Sequence, residues 1–517
     1  MKKYTKLNKI AYALLLASMG ASFSSFSSAA IKASDMDGSD KAKLETKKEQ
    51  QTQPNIIVIM TDDQGQWTVG SYGQKLVKTP NIDYMAKTGV RFENAMTPAP
   101  VSSAARASFH TGKTPSQHGV HDFLSASKDV EHDWLKGETM LGERLKKEGY
   151  VTAMLGKWHA TQKQGNEPVR GYDKWMTHND YTDASWINAY IHMGDVHWNI
   201  DGNKVTLPGT QSRYLTEEAV RFIDNSEDKP FFININYTEP HFPFADFPER
   251  LVDQYRPIAQ KLISKGGSSD LFKNTNYNLV PEDHEEKLAQ YLAGVSLIDD
   301  NVGRLLDALE SRKLLNNTVV VFLSDHGLLM GQYGVYGKVN ATFPYNFYEE
   351  TIRVPFIVKG PADLVKPRQV RGEFVDLLDL NKTILDFAAK KGNKPQTTGG
   401  PGDSLRPLLQ GERTVEWRNL QFSERGNGRM VTNGHWKLVR YYKKDQTPID
   451  HWYDLSNPMG ERHISAAPRE TVQQELITAL ETHFDKYSDS KHTGKDVWNQ
   501  PPLNFGSSRL REKAMWE

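Results

Sequence analysis

Short apolar runs rich in β-branched residues recur along the chain at Asn55–Met60, Tyr150–Leu155, Phe231–Tyr237, Thr318–Leu323 and Val354–Val358. Successive rather than alternate apolar residues bury both faces of a strand, as in a parallel sheet with helices on either side. Between the runs lie helical patterns. The clearest is the stripe Leu288, Tyr291, Leu292, Val295, Ile298, Val302, Leu305, Leu306 and Leu309, which keeps one face apolar at helical spacing. Alternating strands and helices predict an α/β fold, a mostly parallel central sheet flanked by helices, over residues 54–390. After about Lys390 the texture changes. A Gly/Pro-rich passage at 397–404 leads to strand patterns around Leu420–Ser423, Met430–Thr432 and Trp436–Tyr442, then to a helix with Val472, Leu476, Leu480, Phe484 and Tyr487 on one face. Residues 391–517 therefore read as a smaller C-terminal α+β subdomain.

The first 53 residues do not fit either pattern. Lys2, Lys3, Lys6 and Lys9 precede an apolar stretch from Ile10 to Met19 and a small-residue run ending Ser28-Ala29-Ala30. This is the order of a cleaved signal peptide over 1–30, its apolar core being well short of the roughly 20 residues that span a bilayer. A polar tether over 31–53 follows. The expectation is an exported protein, periplasmic or secreted, with no stable membrane association. Lys and Arg number 64 against 64 Asp and Glu, so no broad positive field draws the chain to nucleic acid. The chain has no cysteine, which excludes disulfides, thiolate metal sites and a Cys nucleophile. Chemistry must rest on Asp, His, Lys, Arg and Ser.

Ligands of open parallel sheets bind beyond the carboxyl ends of the strands, and four predicted strands run directly into polar clusters: Thr61-Asp62-Asp63-Gln64, Gly156-Lys157-Trp158-His159, Glu239-Pro240-His241 and Ser324-Asp325-His326-Gly327. One such cluster is an ordinary cap or turn. Four at four strand ends point to a shared site. Adjacent carboxylates repel unless a cation lies between them, and hard oxygen donors favour Ca²⁺ or Mg²⁺. Asp62, Asp63, Asp325 and His326 are thus candidate ligands of a divalent cation.

Pro54–Asp63, Thr79–Asp83, Val101–Lys113, Gly156–His159 and Ser324–Gly327 resemble, in order, the successive signatures of type I sulfatases of the alkaline phosphatase-like superfamily. Ser404–Glu412 and Tyr453–Pro458 resemble two less specific stretches of that family's C-terminal region. In the family a Cys or Ser followed by x-Pro-Ser-Arg is oxidised to formylglycine. Ser102-Ser103-Ala104-Ala105-Arg106 aligns with that pattern, with Ala104 and Ala105 in place of Pro and Ser.

The resemblance implies hydrolysis of sulfate esters by a formylglycine (3-oxoalanine) made from Ser102 by a serine-accepting maturing enzyme, with one Ca²⁺ held by Asp62, Asp63, Ser102, Asp325 and His326. The hydrated aldehyde offers two hydroxyls, one to attack sulfur and one whose deprotonation expels sulfate. By the same resemblance Arg106 holds the hydrate, Lys113 supports it, Lys157 binds sulfate, His159 assists breakdown, and His241 and Lys338 contact sulfate and protonate the leaving alcohol. Two alternatives stand beside this: a phosphatase or phosphodiesterase of the same superfamily, and a silent sulfated-glycan-binding protein with Ser102 unmodified. A sulfated carbohydrate is the expected substrate. Trp186, Tyr190, His192, His197 and Trp198 supply either sugar-stacking groups or ordinary packing.

Overall fold

The computed structural model describes residues 53–124, 133–161, 168–178, 192–262, 268–273, 280–412, 416–457 and 460–499. The expected signal peptide, almost all of the tether, Trp186 and Tyr190 lie outside the described residues. The central sheet contains β1 (Asn55–Thr61), β2 (Val90–Met96), β3 (Val151–Gly156), β4 (Lys174–His178), β5 (Met193–Ile200), β6 (Asn203–Thr210), β7 (Phe231–Asn236), β8 (Thr318–Ser324), β9 (Phe356–Lys359) and β10 (Gln369–Asp376). These ten strands lie in the order β10-β2-β9-β8-β1-β7-β3-β4-β5-β6. From β8 through β1, β7 and β3 to β4 all neighbours are parallel. The flanks are mixed. Strand β9, whose apolar run predicted one more buried strand, is antiparallel to both β8 and β2, because burial on two faces is indifferent to strand direction.

Alternation along β1 sends Ile56, Val58 and Met60 into one core and Ile57 and Ile59 into another. The second core is closed by α1 (Pro80–Thr88), by α3 (Gln211–Asn225) and by α4 (His284–Ser311), whose Ile298, Val302 and Leu305 belong to the predicted stripe. The first is closed by α2 (Ser102–Thr111) and α5 (Leu377–Ala388). Among the described residues no helix is long and apolar enough to cross a membrane.

A second, antiparallel sheet contains β11 (Gln421–Arg425), β12 (Gly428–Thr432), β13 (Trp436–Lys443) and β14 (Gln446–Asp454). Helix α6 (Glu470–Lys486) covers it, with Leu476, Leu480 and Phe484 against Val431, Leu438 and Trp452. Strand β14 was not read from the sequence: it lies at the edge and is half-exposed, so it has no apolar run. Gln53–Glu517 form one compact unit, and hydrogen bonds such as Tyr441 Oη to the Tyr345 carbonyl at 2.6 Å join the small sheet to the rest.

Candidate active site

Strand register assembles the site. Thr61 pairs with Ser324, so Asp62 and Asp63 leave β1 beside Asp325 and His326 leaving β8, and Asp325 N–H donates to the Thr61 carbonyl at 3.1 Å. Gly156 pairs with Asn236 at the ends of β3 and β7. There φ is +97° and a Cβ would lie 2.0 Å from the Asn236 carbonyl oxygen, so glycine is what lets the chain turn and deliver Lys157. Asp63 and His159 occupy the left-handed region at φ 63° and 47°, an unfavourable backbone state for non-glycine residues that concentrates at functional sites.

Ser102 opens α2 and is buried. Its Oγ lies 3.1 Å from Asp62 Oδ1 and 3.1 Å from His326 Nε2. One turn later Arg106 directs Nε and Nη2 to Asp325 Oδ2 at 3.1 and 3.0 Å, Nη2 to Asp62 at 3.4 Å, and Nη1 to the Lys157 carbonyl and Asn236 Oδ1 at 3.0 and 2.8 Å. It thus reaches Ser102 through Asp62. Lys157 Nζ is ion-paired with Asp62. Lys338 Nζ donates to Asp63 Oδ1 at 2.7 Å and lies 3.1 Å from His241 Nε2. Proton placement follows from carbonyl partners, which can only accept. His241 Nδ1 donates to the Phe242 carbonyl at 2.9 Å, leaving Nε2 as an acceptor for the Lys338 ammonium. His326 Nδ1 likewise donates to the Gly327 carbonyl at 3.0 Å, so in the neutral ring the Nε2 lone pair faces Ser102.

Burial would raise the Asp62 pKa, but Lys157, His241, Arg106 and Lys338 outweigh it and hold the carboxyl well below its usual range. Asp63 goes the other way: burial raises it, Lys338 and His326 offset only part, and Asp62 and Asp325 add repulsion. His241 is held well below 6.5 by burial and Lys338, and His159 by burial and Lys157. Both imidazoles are neutral at pH 7. Asp62, Asp325 and His326 offer ligand atoms within 4.8 Å of one another, as do Asp62, Asp63 and His241. This oxygen-rich donor set fits a hard divalent cation. Three carboxylates against Arg106, Lys157 and Lys338 make the cluster formally neutral; a cation added to it leaves surplus positive charge, which an anionic substrate offsets.

Lys113 corrects an expectation. It follows the Gly112 C-cap of α2, and its Nζ pairs with Glu138 at 2.8 Å. A helix rises about 1.5 Å per residue, so Lys113 stands roughly 15 Å from Ser102 and cannot support a group there. His159 is buried: Nε2 donates to the Leu124 carbonyl at 2.9 Å and its ring meets Phe123 edge-on at 4.7 Å. Trp198 and His192 are buried, stacked on His178 and Phe247 respectively, and so are packing groups and not sugar platforms. His197 pairs with Thr206 across the β5–β6 hairpin at 2.7 Å. Asn236, which orients Arg106, was missed. Its signal was present, since Asn234 and Asn236 are amides inside the apolar run of β7.

The sequence profile described as Sulfatase matches residues 54–390. The chain belongs to the sulfatase family. The profile described as N-sulphoglucosamine sulphohydrolase, C-terminal, matches residues 334–488 of this sulfatase. It is 26% identical over 551 residues to a Bacteroides thetaiotaomicron protein described as N-acetylglucosamine-6-O-sulfatase, covering 90% of this chain and 91% of that one. It is 30% identical over 473 residues to a Formosa agariphila protein described as an ulvan-active sulfatase, covering 87% and 84%. A solved structure in complex with its substrate D-glucosamine-2-N,6-O-disulfate superposes with a TM-score of 0.71 at 23% identity, over 86% of this chain and all of that one (100%). The chain is an enzyme, a sulfuric ester hydrolase with an alkaline phosphatase-like α/β fold.

Proposed function

We propose that this sulfatase removes sulfate from a sulfated carbohydrate outside the cytoplasm, using a formylglycine made from Ser102 and one Ca²⁺. The observation that carries the reading is the position of Ser102: a buried hydroxyl at the start of α2, 3.1 Å from both Asp62 and His326, where the strand-end carboxylates converge. Two relatives described as acting on sugar sulfates, and the basic, apolar and small-residue order of the first 30 residues, support the substrate class and export.

Asp62, Asp63, Asp325 and His326 would hold the cation, with Ser102 completing the set. When present, the formylglycine hydrate supplies a hydroxyl nucleophile and a second hydroxyl whose deprotonation releases sulfate, while the cation supplies positive charge for the sulfate oxygens. The other steps fall to the chain's own groups. Arg106 fixes Asp62 and Asp325, and through them the position of residue 102. Lys157 and Lys338 line the cluster and can turn from carboxylate to sulfate oxygen. Lys338 keeps a quarter of its side chain exposed (25%) and, hydrogen-bonded to neutral His241, is placed to protonate the leaving oxygen. His159, which by the family resemblance assists breakdown, is held neutral with its Nε2 donating to the Leu124 carbonyl.

The test pairs mass spectrometry with turnover. Active protein should yield a Ser102 peptide lighter by two hydrogens and reactive to carbonyl reagents, should lose activity on chelation and should regain it with Ca²⁺. Made without a serine-accepting maturing enzyme, it should fold and bind metal without releasing sulfate, since an unassisted serine hydroxyl is a weak nucleophile. Robust sulfate release by protein with an unmodified Ser102 peptide would overturn the mechanism, and full activity in metal-free protein would remove the cation.

A further inference from the structure

The residue after His241 is an aromatic ring left in water. Phe242 is 51% exposed. Among the described residues only Phe242 and Tyr84 are exposed aromatics. Tyr84, on α1, has a hydroxyl for water to solvate and the Lys359 ammonium 5.6 Å from its ring centroid. Phe242 has no polar atom on its side chain, so its exposure forgoes hydrophobic stabilisation with nothing gained within the folded chain.

The fold nonetheless fixes where this ring stands. The Phe242 carbonyl accepts from His241 Nδ1 at 2.9 Å. The ring meets Phe244 edge-on at 6.1 Å, and Phe244 meets Tyr336 edge-on at 5.9 Å, two residues ahead of Lys338. The ring is therefore anchored both to the His241 turn and to the segment that brings in Lys338. Phe244 and Asp246 in the same turn hold φ at 54° and 64°, left-handed values that non-glycine residues adopt at a cost. A strained turn presents an apolar face beside the pair that serves the leaving oxygen.

In-line displacement at sulfur places the leaving oxygen opposite the attacking one. With the nucleophile at residue 102 and the proton donor at Lys338, hydrogen-bonded to His241, the alcohol extends outward past His241, where Phe242 adjoins its path. We propose that Phe242 is a specificity residue whose exposed face stacks on the ring of the alcohol being released, a pyranose offering the apolar C–H side of a sugar. The proposal rests on the sulfatase reading of the site and names the platform that buried Trp198 and His192 cannot provide.

The test compares matured wild type, Phe242→Ala and Phe242→Trp on a pyranose sulfate, an aryl sulfate and a short acyclic alkyl sulfate. In Phe242→Ala the ratio of kcat/KM for the pyranose sulfate to that for the acyclic sulfate should fall at least tenfold, chiefly through KM. Phe242→Trp should keep the ratio within about threefold of wild type, since a ring is retained. A readout free of turnover is available in the Ser102→Ala background, where Phe242→Ala should weaken calorimetric binding of the same pyranose sulfate about as much as it lowers the ratio. An unchanged ratio in Phe242→Ala, or loss of the ratio in Phe242→Trp, would overturn the proposal. A fall confined to the aryl sulfate would overturn its carbohydrate part. If matured wild type releases sulfate from none of the three, the sulfatase reading itself fails, a result distinct from any behaviour of Phe242.

Discussion

Two buried charge clusters invite comparison. One gathers Asp62, Asp63 and Asp325 with Arg106, Lys157 and Lys338 at the strand ends. The other gathers Glu349, Glu350 and Glu461 with Lys437 and Arg353 where β13 meets the rest of the molecule: Lys437 Nζ donates to Glu349 and Glu461 at 2.6 and 2.7 Å and to the Phe347 carbonyl at 2.8 Å. Both are acidic and basic in nearly equal measure, so buried charge alone does not mark a site. The differences do. In the first cluster a hydroxyl and two imidazole rings intrude, Asp63 bends into the left-handed region, and Lys338 reaches solvent. In the second, Lys437 is wholly enclosed, at 0% side-chain exposure. One arrangement leaves charge to be completed by a ligand, whereas the other completes itself and ties two parts of the chain together.

The largest expected effect separates the clusters by activity. Asp63→Asn should lower turnover roughly 10⁴-fold, about 5 kcal/mol in the barrier, by removing a carboxylate from the cation site. Metal-free Asp63→Asn should melt no lower than wild type, because the raised pKa of Asp63 means that the native fold holds its charge less favourably than water does. Sulfate release and a melting curve in chelator check both halves; a melting temperature that falls sharply would make Asp63 a structural carboxylate.

Lys437→Met should invert that pattern. It strands Glu349 and Glu461 without their shared cation, and breaking a buried pair from one side costs about 3–5 kcal/mol. Denaturant unfolding should show this loss, while turnover per folded molecule falls less than tenfold. Abolished turnover in fully folded Lys437→Met would show that the second cluster governs the site.

A smaller effect lies in pH dependence. Burial pushes the Glu461 carboxyl up to about 7, with Glu349 and Glu350 adding to it and Lys437 offsetting part. Burial would also raise Glu349, but Arg353 and Lys437 take it down to about 2. A carboxyl whose pKa is raised on folding binds its proton more tightly in the native state, so Glu461 removes stability as pH rises from about 4.5 to about 7. Glu349 contributes stability above about 4.5 that is lost as pH falls toward 2. Glu461→Gln should therefore flatten the stability profile between pH 5 and 8 by about 2.5 kcal/mol and leave the acid limb in place. An unaltered slope in that window would assign the titration elsewhere.

The comparison also shows what a sequence exposes to reading. Strands β1, β3, β7 and β8 were legible because burial on both faces forces an unbroken apolar run, and the strand-end clusters were legible because charge directly after such a run is conspicuous. Register then did what spacing cannot, setting Asp63 beside Asp325 across 262 steps of chain. Lys113 misled because nearness in sequence along a helix is distance along its axis. Trp198 stayed open between two readings because an aromatic ring reads alike whether it faces a sugar or a core. The Lys437 cluster gave no signal, as its members are scattered singly among ordinary surface-like charges and only tertiary packing makes them a unit.

The smallest predicted effect concerns the start of α2, where the sequence departs from the family pattern at Ala104. The first carbonyl bond into this helix comes from Ala105 N–H to Val101 at 2.9 Å, so Ala104 lies in the turn whose N–H groups have no intrahelical acceptor. A proline there removes no helical hydrogen bond, although it disfavours the helical conformation of Ser103. Ala104 is fully buried, and its added ring atoms must be accommodated in the first core; overpacking of that kind costs about 1–3 kcal/mol. Ala104→Pro should therefore fold with a loss near the lower end, about 1 kcal/mol. If the maturing enzyme reads an extended segment before the helix forms, the same substitution should raise the fraction of Ser102 peptide carrying the aldehyde, by less than tenfold, since the serine and Arg106 are already in place. The ratio of modified to unmodified peptide from parallel expressions measures this directly. An unchanged ratio with the expected small loss of stability would show that position 104 answers to core packing alone and not to modification.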